Sequence, residues 1–289
     1  MASERLEGAC ALLAWNGSAY GGWQLQPNAP TVQGEVERAL ARLMARDRVV
    51  VRAAGRLDAG VHAHAQVVGF AVDAPRTAKA LFRGLNGLLP PDIACLALAP
   101  AVRDFDPRRV SRGKTYRYRF LVREARCPFR HREAWHIGRP LDSAAMYSAA
   151  QALVGRHDFT SFRASGCSAA HPLRRIRAID IEHRGDEVHV VVDGEAFLRH
   201  QIRIIAGCLV EVGLRRKPAG WLRGVLDACD RTRAARTAPA HGLSLERVHF
   251  DPPLQWTEGG PPKPRWTPGS ARETALVVPE TVDANDVLH

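Results

Sequence analysis

Apolar residues recur along this chain in two rhythms that alternate with each other. ALLAW at 11–15 is a short apolar run and predicts a buried strand. In TVQGEVERALARLMAR at 31–46, Val32, Val36, Leu40, Leu43 and Met44 recur at helical spacing, and Thr31 stands where an N-cap belongs. RVVVRAAG (48–55) and QVVGFAV (66–72) predict two more strands. KALFRGLNGLL (79–89) predicts a helix stopped by Pro90 and Pro91, and IACLALAPAV (93–102) a fourth strand. Strand, helix, strand, strand, helix, strand is the order of a split βαβ, ferredoxin-like unit.

The same layout returns further on. KTYRYRFLV (114–122) alternates cleanly, which sets Tyr116, Tyr118 and Phe120 on one face and leaves Arg117 and Arg119 for solvent. LDSAAMYSAAQALVG (141–155) predicts a helix with Asp142 as N-cap and Gly155 past its end. Residues 174–194 predict two strands around the turn Arg184-Gly185-Asp186. FLRHQIRIIAGCLVEVGL (197–214) predicts an apolar helix with Arg199 and Arg203 four apart on one face. LSLERVHF (243–250) can close the second sheet, while 127–140 and 158–172 are irregular insertions. The expected fold class is α+β, with one ferredoxin-like half over 1–104 and another over 105–250. From Asp251 onward Pro and Gly accumulate without period, so 251–289 is expected to be a flexible tail carrying basic residues such as Lys263 and Arg265.

Charge changes the picture. The 289 residues carry a formal net charge of +11 and a sequence pI near 10.0, which suits a polyanionic partner, although such a balance also simply keeps a protein soluble. The six cysteines form no C-x-x-C pair, so neither a zinc ribbon nor a thioredoxin-like site is indicated. MASERLEGAC lacks the basic-then-apolar layout of a signal peptide, and no apolar run approaches the roughly 20 residues of a membrane span. The expected compartment is the cytoplasm, with no membrane partner.

Candidate chemistry concentrates in GRLDAGVHA at 55–63. Asp58 there has two readings. Asp followed closely by Gly is common in tight turns. Yet the string leaves a strand on a Gly-flanked connection, Arg56 lies two residues away, and a positioned carboxylate can act as a nucleophile without a cofactor. His62 and His64 could share a metal only with further ligands, and no second His or Cys pair supplies them; no metal is expected. Phosphate-loop, dinucleotide and serine-elbow motifs are absent from the sequence. In FDPRRVSRGKTYRYRFLVREARCPFRHR (105–132), Arg108, Arg109 and Lys114 precede a row of aromatics, a mixture that suits unstacked nucleotides. In HDFTSFRASG (157–166), Arg163 could grip a sugar–phosphate backbone, or the two phenylalanines could simply plug a core. Arg203 among isoleucines needs a carboxylate, for which Asp58 is one candidate, unless it snorkels to the surface.

Taken together, NGSAYGGWQLQ, TVQGEVERAL, GRLDAGVHA, KTYRYRF, HDFTSFRA and AFLRHQIRIIAG, in this order and spacing, resemble the TruA-type tRNA pseudouridine synthases from about residue 9 to residue 250. The resemblance implies two ferredoxin-like halves with antiparallel sheets meeting around a basic central cleft. It also implies a homodimer that converts uridine to pseudouridine in the tRNA anticodon stem-loop, at positions 38 to 40, with no cofactor. It places the catalytic aspartate at Asp58, the nucleotide-flipping arginine at Arg56, the base-packing tyrosine at Tyr116, the carboxylate's arginine partner at Arg203 and a cavity leucine at Leu243. The chain departs from the usual pattern at Leu57, where Thr is usual, at Ile204, where Asn is usual, and at Asn16, where Asp is usual. The competing reading is a tRNA-binding or RNA-remodelling module without catalysis, and only the enzyme predicts a reaction.

Overall fold

The structure, a computed structural model, describes residues 6–73 and 76–262. Its first half contains β1 (Gly8–Trp15), α1 (Val32–Met44), β2 (Arg52–Ala53), β3 (His62–Ala71), α2 (Ala78–Leu88) and β4 (Ile93–Ala101). A short α3 (Pro107–Val110) leads to β5 (Gly113–Val122), β6 (Trp135–Ile137), α4 (Ser143–Gln151), β7 (Gly155–Asp158), β8 (Leu173–Arg184) and β9 (Glu187–Gly194). Then come α5 (Gln201–Gly213), α6 (Trp221–Asp227), β10 (Leu243–His249) and β11 (Glu258–Gly259). The N-caps lie where their side chains dictate: Thr31 accepts from Gly34 N at 3.2 Å and Asp142 from Ala145 N at 2.9 Å.

Among the described residues the strands form one sheet, in the order β11-β4-β1-β3-β10-β5-β9-β8-β7, with β2 beside β3 and β6 beside β5. Each half repeats one arrangement. In chain order its four strands lie fourth, first, third, second: β4-β1-β3-β2 and β10-β5-β9-β8. The pairings inside each arrangement are antiparallel. What fuses the halves is a short parallel ladder in which Ser244 and Leu245 of β10 face His62 and Ala63 of β3.

That ladder explains a departure from the sequence reading. A full strand was expected over 48–55, but only Arg52 and Ala53 pair, with Gly69 and Val68 of β3. The other end of the same β3 edge is taken by β10. Val51 is still buried, and its backbone is satisfied by α1 instead: its N–H donates to Glu37 at 3.1 Å and its carbonyl accepts from Gln33 at 3.3 Å. The tail reading is corrected at its start as well. Glu258–Gly259 pair with Leu98 and Ala97 on the edge of β4, so 251–262 is not featureless, while 263–289, with Lys263 and Arg265, lie outside the described residues.

One apolar cluster runs through both halves, from Leu12, Val36 and Leu40 to Tyr118, Phe120, Ile204 and Leu209. Two of the unusual residues belong to it. Leu57 and Ile204 are buried in this core, so the apolar side chains at these positions are paid back by packing. Among the described residues no helix is long and apolar enough to cross a membrane.

Candidate active site

The string around Asp58 becomes a turn that is clamped on several sides. Val61 N donates to Asp58 O at 3.1 Å, closing four residues in which Gly60 takes φ 77°. Trp23 N donates to Leu57 O at 3.0 Å, and Gly60 N to Tyr20 O at 3.3 Å. Gly22, at φ 102°, runs so close that a Cβ there would come within 2.7 Å of Leu57 O. The backbone of residues 20–23 therefore buttresses the turn. His62, just beyond, is a structural pin: Gly17 N donates to its Nδ1 at 3.0 Å, and its Nε2–H donates to His241 O at 3.0 Å. Burial lowers its pKa, so the ring is neutral, and both nitrogens are already engaged. His64 stands beside Arg119, whose guanidinium donates to its Nε2 at 2.9 Å.

The opposite wall comes from the second half of the chain. Arg203, in the first turn of α5, donates from Nη1 to Asp58 Oδ2 at 3.2 Å and from Nε to Ala238 O at 2.9 Å. His200 places Nε2 at 3.3 Å from the same Oδ2. Arg203 by a hydrogen bond and His200 by close approach thus converge on one carboxylate oxygen, and among the described residues no hydrogen bond is made to Oδ1. Asp58 keeps 30% of its side chain exposed. The helix begins at Gln201, so Arg199 lies outside it and does not share a helical face with Arg203 as the sequence spacing suggested.

A cavity of about 750 Å³ opens in front of this carboxylate. Arg56, Asp58, Arg108, Lys114, Tyr116 and Leu243 all line it. The sheet register produces this: Leu243 of β10 faces Tyr118 of β5, Leu245 faces Tyr116, and the Asp58 turn feeds straight into β3 on the other side of β10. Tyr116 is buried and meets Phe197 edge-on at 5.2 Å between ring centroids. Burial, and then the charge of Asp58, push its phenol well above the usual tyrosine range, so the hydroxyl stays protonated. Arg56 is exposed at the wall and makes no ion pair among the described residues. Lys114 is lowered to about 8 by burial, with the charge of Arg108 adding to the effect.

Two residues expected to touch RNA sit differently. Arg109 is exposed outside the cavity lining, 3.6 Å from Asp106. Arg163 turns its guanidinium onto the chain itself, donating to Cys167 O at 2.8 Å and Ala169 O at 2.7 Å, and so shapes the 166–170 rim of the cavity. The apolar spacing over 197–214 predicts one continuous helix through His200, which hides it. Its signal is conformational: it caps α5 at φ 61°, a left-handed backbone that no sequence pattern marks.

The back of β5 also differs from expectation. Arg117 is only 1% exposed, not in solvent. Its Nη1 donates to Glu182 at 3.1 Å and to His189 Nδ1 at 2.9 Å, and its Nε lies 3.5 Å from Glu246. Arg119 reaches Glu133 at 3.7 Å from the irregular insertion. A charged layer therefore backs the aromatic row, because β8, β10 and the insertion bring carboxylates over that face.

Comparison with known proteins adds a family to this geometry. A family model described as tRNA pseudouridine synthase matches residues 149–251. A tRNA pseudouridine synthase A of Myxococcus xanthus is 50% identical over 252 residues, covering 86% of this chain and 94% of that protein. Proteins of the same description from Pelobacter propionicus and Geobacter sulfurreducens are each 42% identical, over 238 and 239 residues, covering 82% and 83% of this chain and 97% and 98% of theirs.

Proposed function

This chain belongs to the tRNA pseudouridine synthase family, an isomerase family, and from that premise we propose that it converts uridine to pseudouridine at positions 38 to 40 of the tRNA anticodon stem-loop, with Asp58 as the reacting group. The observation that carries the reading is the carboxylate itself: Oδ2 is held by Arg203 at 3.2 Å inside a cavity of about 750 Å³, large enough for a nucleotide.

The reaction breaks the N1–C1′ bond, turns the uracil and joins C5 to C1′; the hydrogen on C5 leaves as a proton, and N1, released from the sugar, takes one up. The uridine must first leave the helical stack, because the ring cannot turn within it. Arg56, unpaired at the wall, fits the task of filling the vacated space or holding the backbone. Tyr116 packs against the extruded base, and Leu243 supplies an apolar wall behind it. Asp58 either attacks the nucleotide or removes a proton from the sugar, and both routes use the oxygen that the protein leaves free. Arg108 and Lys114 take phosphates at the cavity wall, Arg109 does so outside it, and Arg163 contributes through the rim it shapes. The proposed enzyme is a cytoplasmic homodimer that needs no cofactor; light scattering of the purified chain tests the dimer.

The deciding experiment uses tRNA carrying tritium at uridine C5, since closing the new bond expels that hydrogen. Asp58→Asn is expected to abolish tritium release while tRNA affinity stays within about threefold, because the amide keeps shape and hydrogen bonding but loses the charge. Wild-type protein that binds tRNA and releases no tritium would leave an RNA-binding module instead.

A further inference from the structure

His200 carries three features that its place in the chain does not require. It is a non-glycine residue in left-handed backbone, φ 61° and ψ 4°, a conformation that disfavours any side chain with a Cβ. It makes no side-chain cap hydrogen bond to the helix it precedes. Its ring lines the cavity and sets Nε2 at 3.3 Å from Asp58 Oδ2. Glycine would satisfy the backbone without strain, so what is kept by holding a histidine here is the imidazole.

We propose that His200 is a positioning residue of the isomerisation: its imidazole, with Nε2 already 3.3 Å from Oδ2 of Asp58, closes onto that oxygen as a donor and, together with Arg203, turns Oδ1 toward the nucleotide. The proposal rests on Asp58 being the reacting carboxylate. Two donors on one oxygen fix both the rotation of the carboxylate and its tilt, which one guanidinium contact leaves free. A neutral donor does this without a second full positive charge beside the reacting group. The groups around the ring favour that state. Burial lowers the imidazole pKa below the ordinary histidine range; Asp58 from the 54–61 turn opposes this, whereas Arg203 on α5, Arg199 before it and Arg231 on the 231–233 turn add to it. Once protonated, the ring would hold the carboxylate in an ion pair and weaken it as nucleophile or base.

The test is single-turnover tritium release between pH 5 and pH 9, with tRNA binding measured in parallel, for wild type and for His200→Gly, His200→Gln and Asp58→Asn. Glycine adopts the left-handed backbone freely, so His200→Gly folds at least as well as wild type, and any loss belongs to the side chain. His200→Gly should react about 10- to 100-fold more slowly, the usual weight of a hydrogen bond to a charged group, with tRNA affinity changed less than about threefold. Glutamine reaches as far as the imidazole, donates and does not titrate. His200→Gln should recover most of the rate at neutral pH and lose less of it than wild type on the acid side. The proposal is overturned if His200→Gly reacts as fast as wild type, or if His200→Gln is as slow as His200→Gly. It is also overturned if His200→Gln loses rate toward low pH as steeply as wild type does. An active Asp58→Asn would overturn the Asp58 reading itself, whereas an inert Asp58→Asn beside a fully active His200→Gly would remove only the role of His200.

Discussion

Lys114 offers a measurable conflict between stability and binding. It lies on the cavity wall, close enough to the Asp58 turn that a Cβ on Gly55 would meet its Cε at 3.1 Å, and no carboxylate among the described residues pairs with it. Folding lowers its ammonium from 10.5 to about 8, which at 1.36 kcal/mol per pKa unit costs about 3 kcal/mol. Below pH 8 folded and unfolded chains both hold the proton, and the folded state bears the whole penalty. Between pH 8 and 10.5 the unfolded chain holds more protons, so stability rises with pH, and above 10.5 the penalty is gone. Lys114→Met keeps a chain of similar length without the charge. At pH 7 it should be about 3 kcal/mol more stable than wild type by urea unfolding, and the two should converge near pH 10.5. A tRNA phosphate beside the ammonium restores its charge. Wild-type affinity for tRNA should therefore fall between pH 7 and 9, while Lys114→Met shows no such fall and a salt slope shallower by roughly 0.7 to 0.9. Equal stability of the two proteins at pH 7, or a gap that stays constant up to pH 10.5, would refute the reasoning.

Two further outcomes concern the charged layer behind the site. Asp193 is lowered from 3.8 to about 2: burial pushes it up, but hydrogen bonds from His249, Arg177 and Thr115 more than reverse this. Asp193→Asn should therefore be about 2 kcal/mol less stable at pH 7, with the difference present above pH 3.8 and vanishing as pH falls through about 2, as read from unfolding curves across that range. Glu246→Gln leaves the buried Arg117 with less compensation and should lower stability by about 3 kcal/mol in urea; an unchanged midpoint would mean that Glu182 alone suffices for that arginine.

The periodic elements were legible because each one buries a single face. The alternation at 114–122 correctly sets Tyr116, Tyr118 and Phe120 inward, and the spacing of Val32, Val36 and Leu40 gives α1 its core face. Arg203 was legible for a related reason: a cation among isoleucines needs a partner, and one lies 3.2 Å away. What the sequence hid depends on pieces far apart in the chain. Alternation says which way Arg117 points but not that Glu182, His189 and Glu246 from other strands will cover it. The shortness of β2 follows from competition with β10 for one edge, which no local pattern records. His200 and Arg199 were misread as helical because apolar spacing continues through them while the backbone turns left-handed at residue 200.

The short parallel ladder also governs when the protein can become competent. The strand in the middle of the sheet is among the latest in the sequence, and on its two flanks sit the turn that bears Asp58 and the strand that bears Tyr116. Among the described residues β3 and β5 are joined only through residues 243–249, and such long-range pairings are slow to form. A polypeptide that ends before residue 243 therefore lacks the keystone strand that seats the Asp58 turn beside the strand bearing Tyr116.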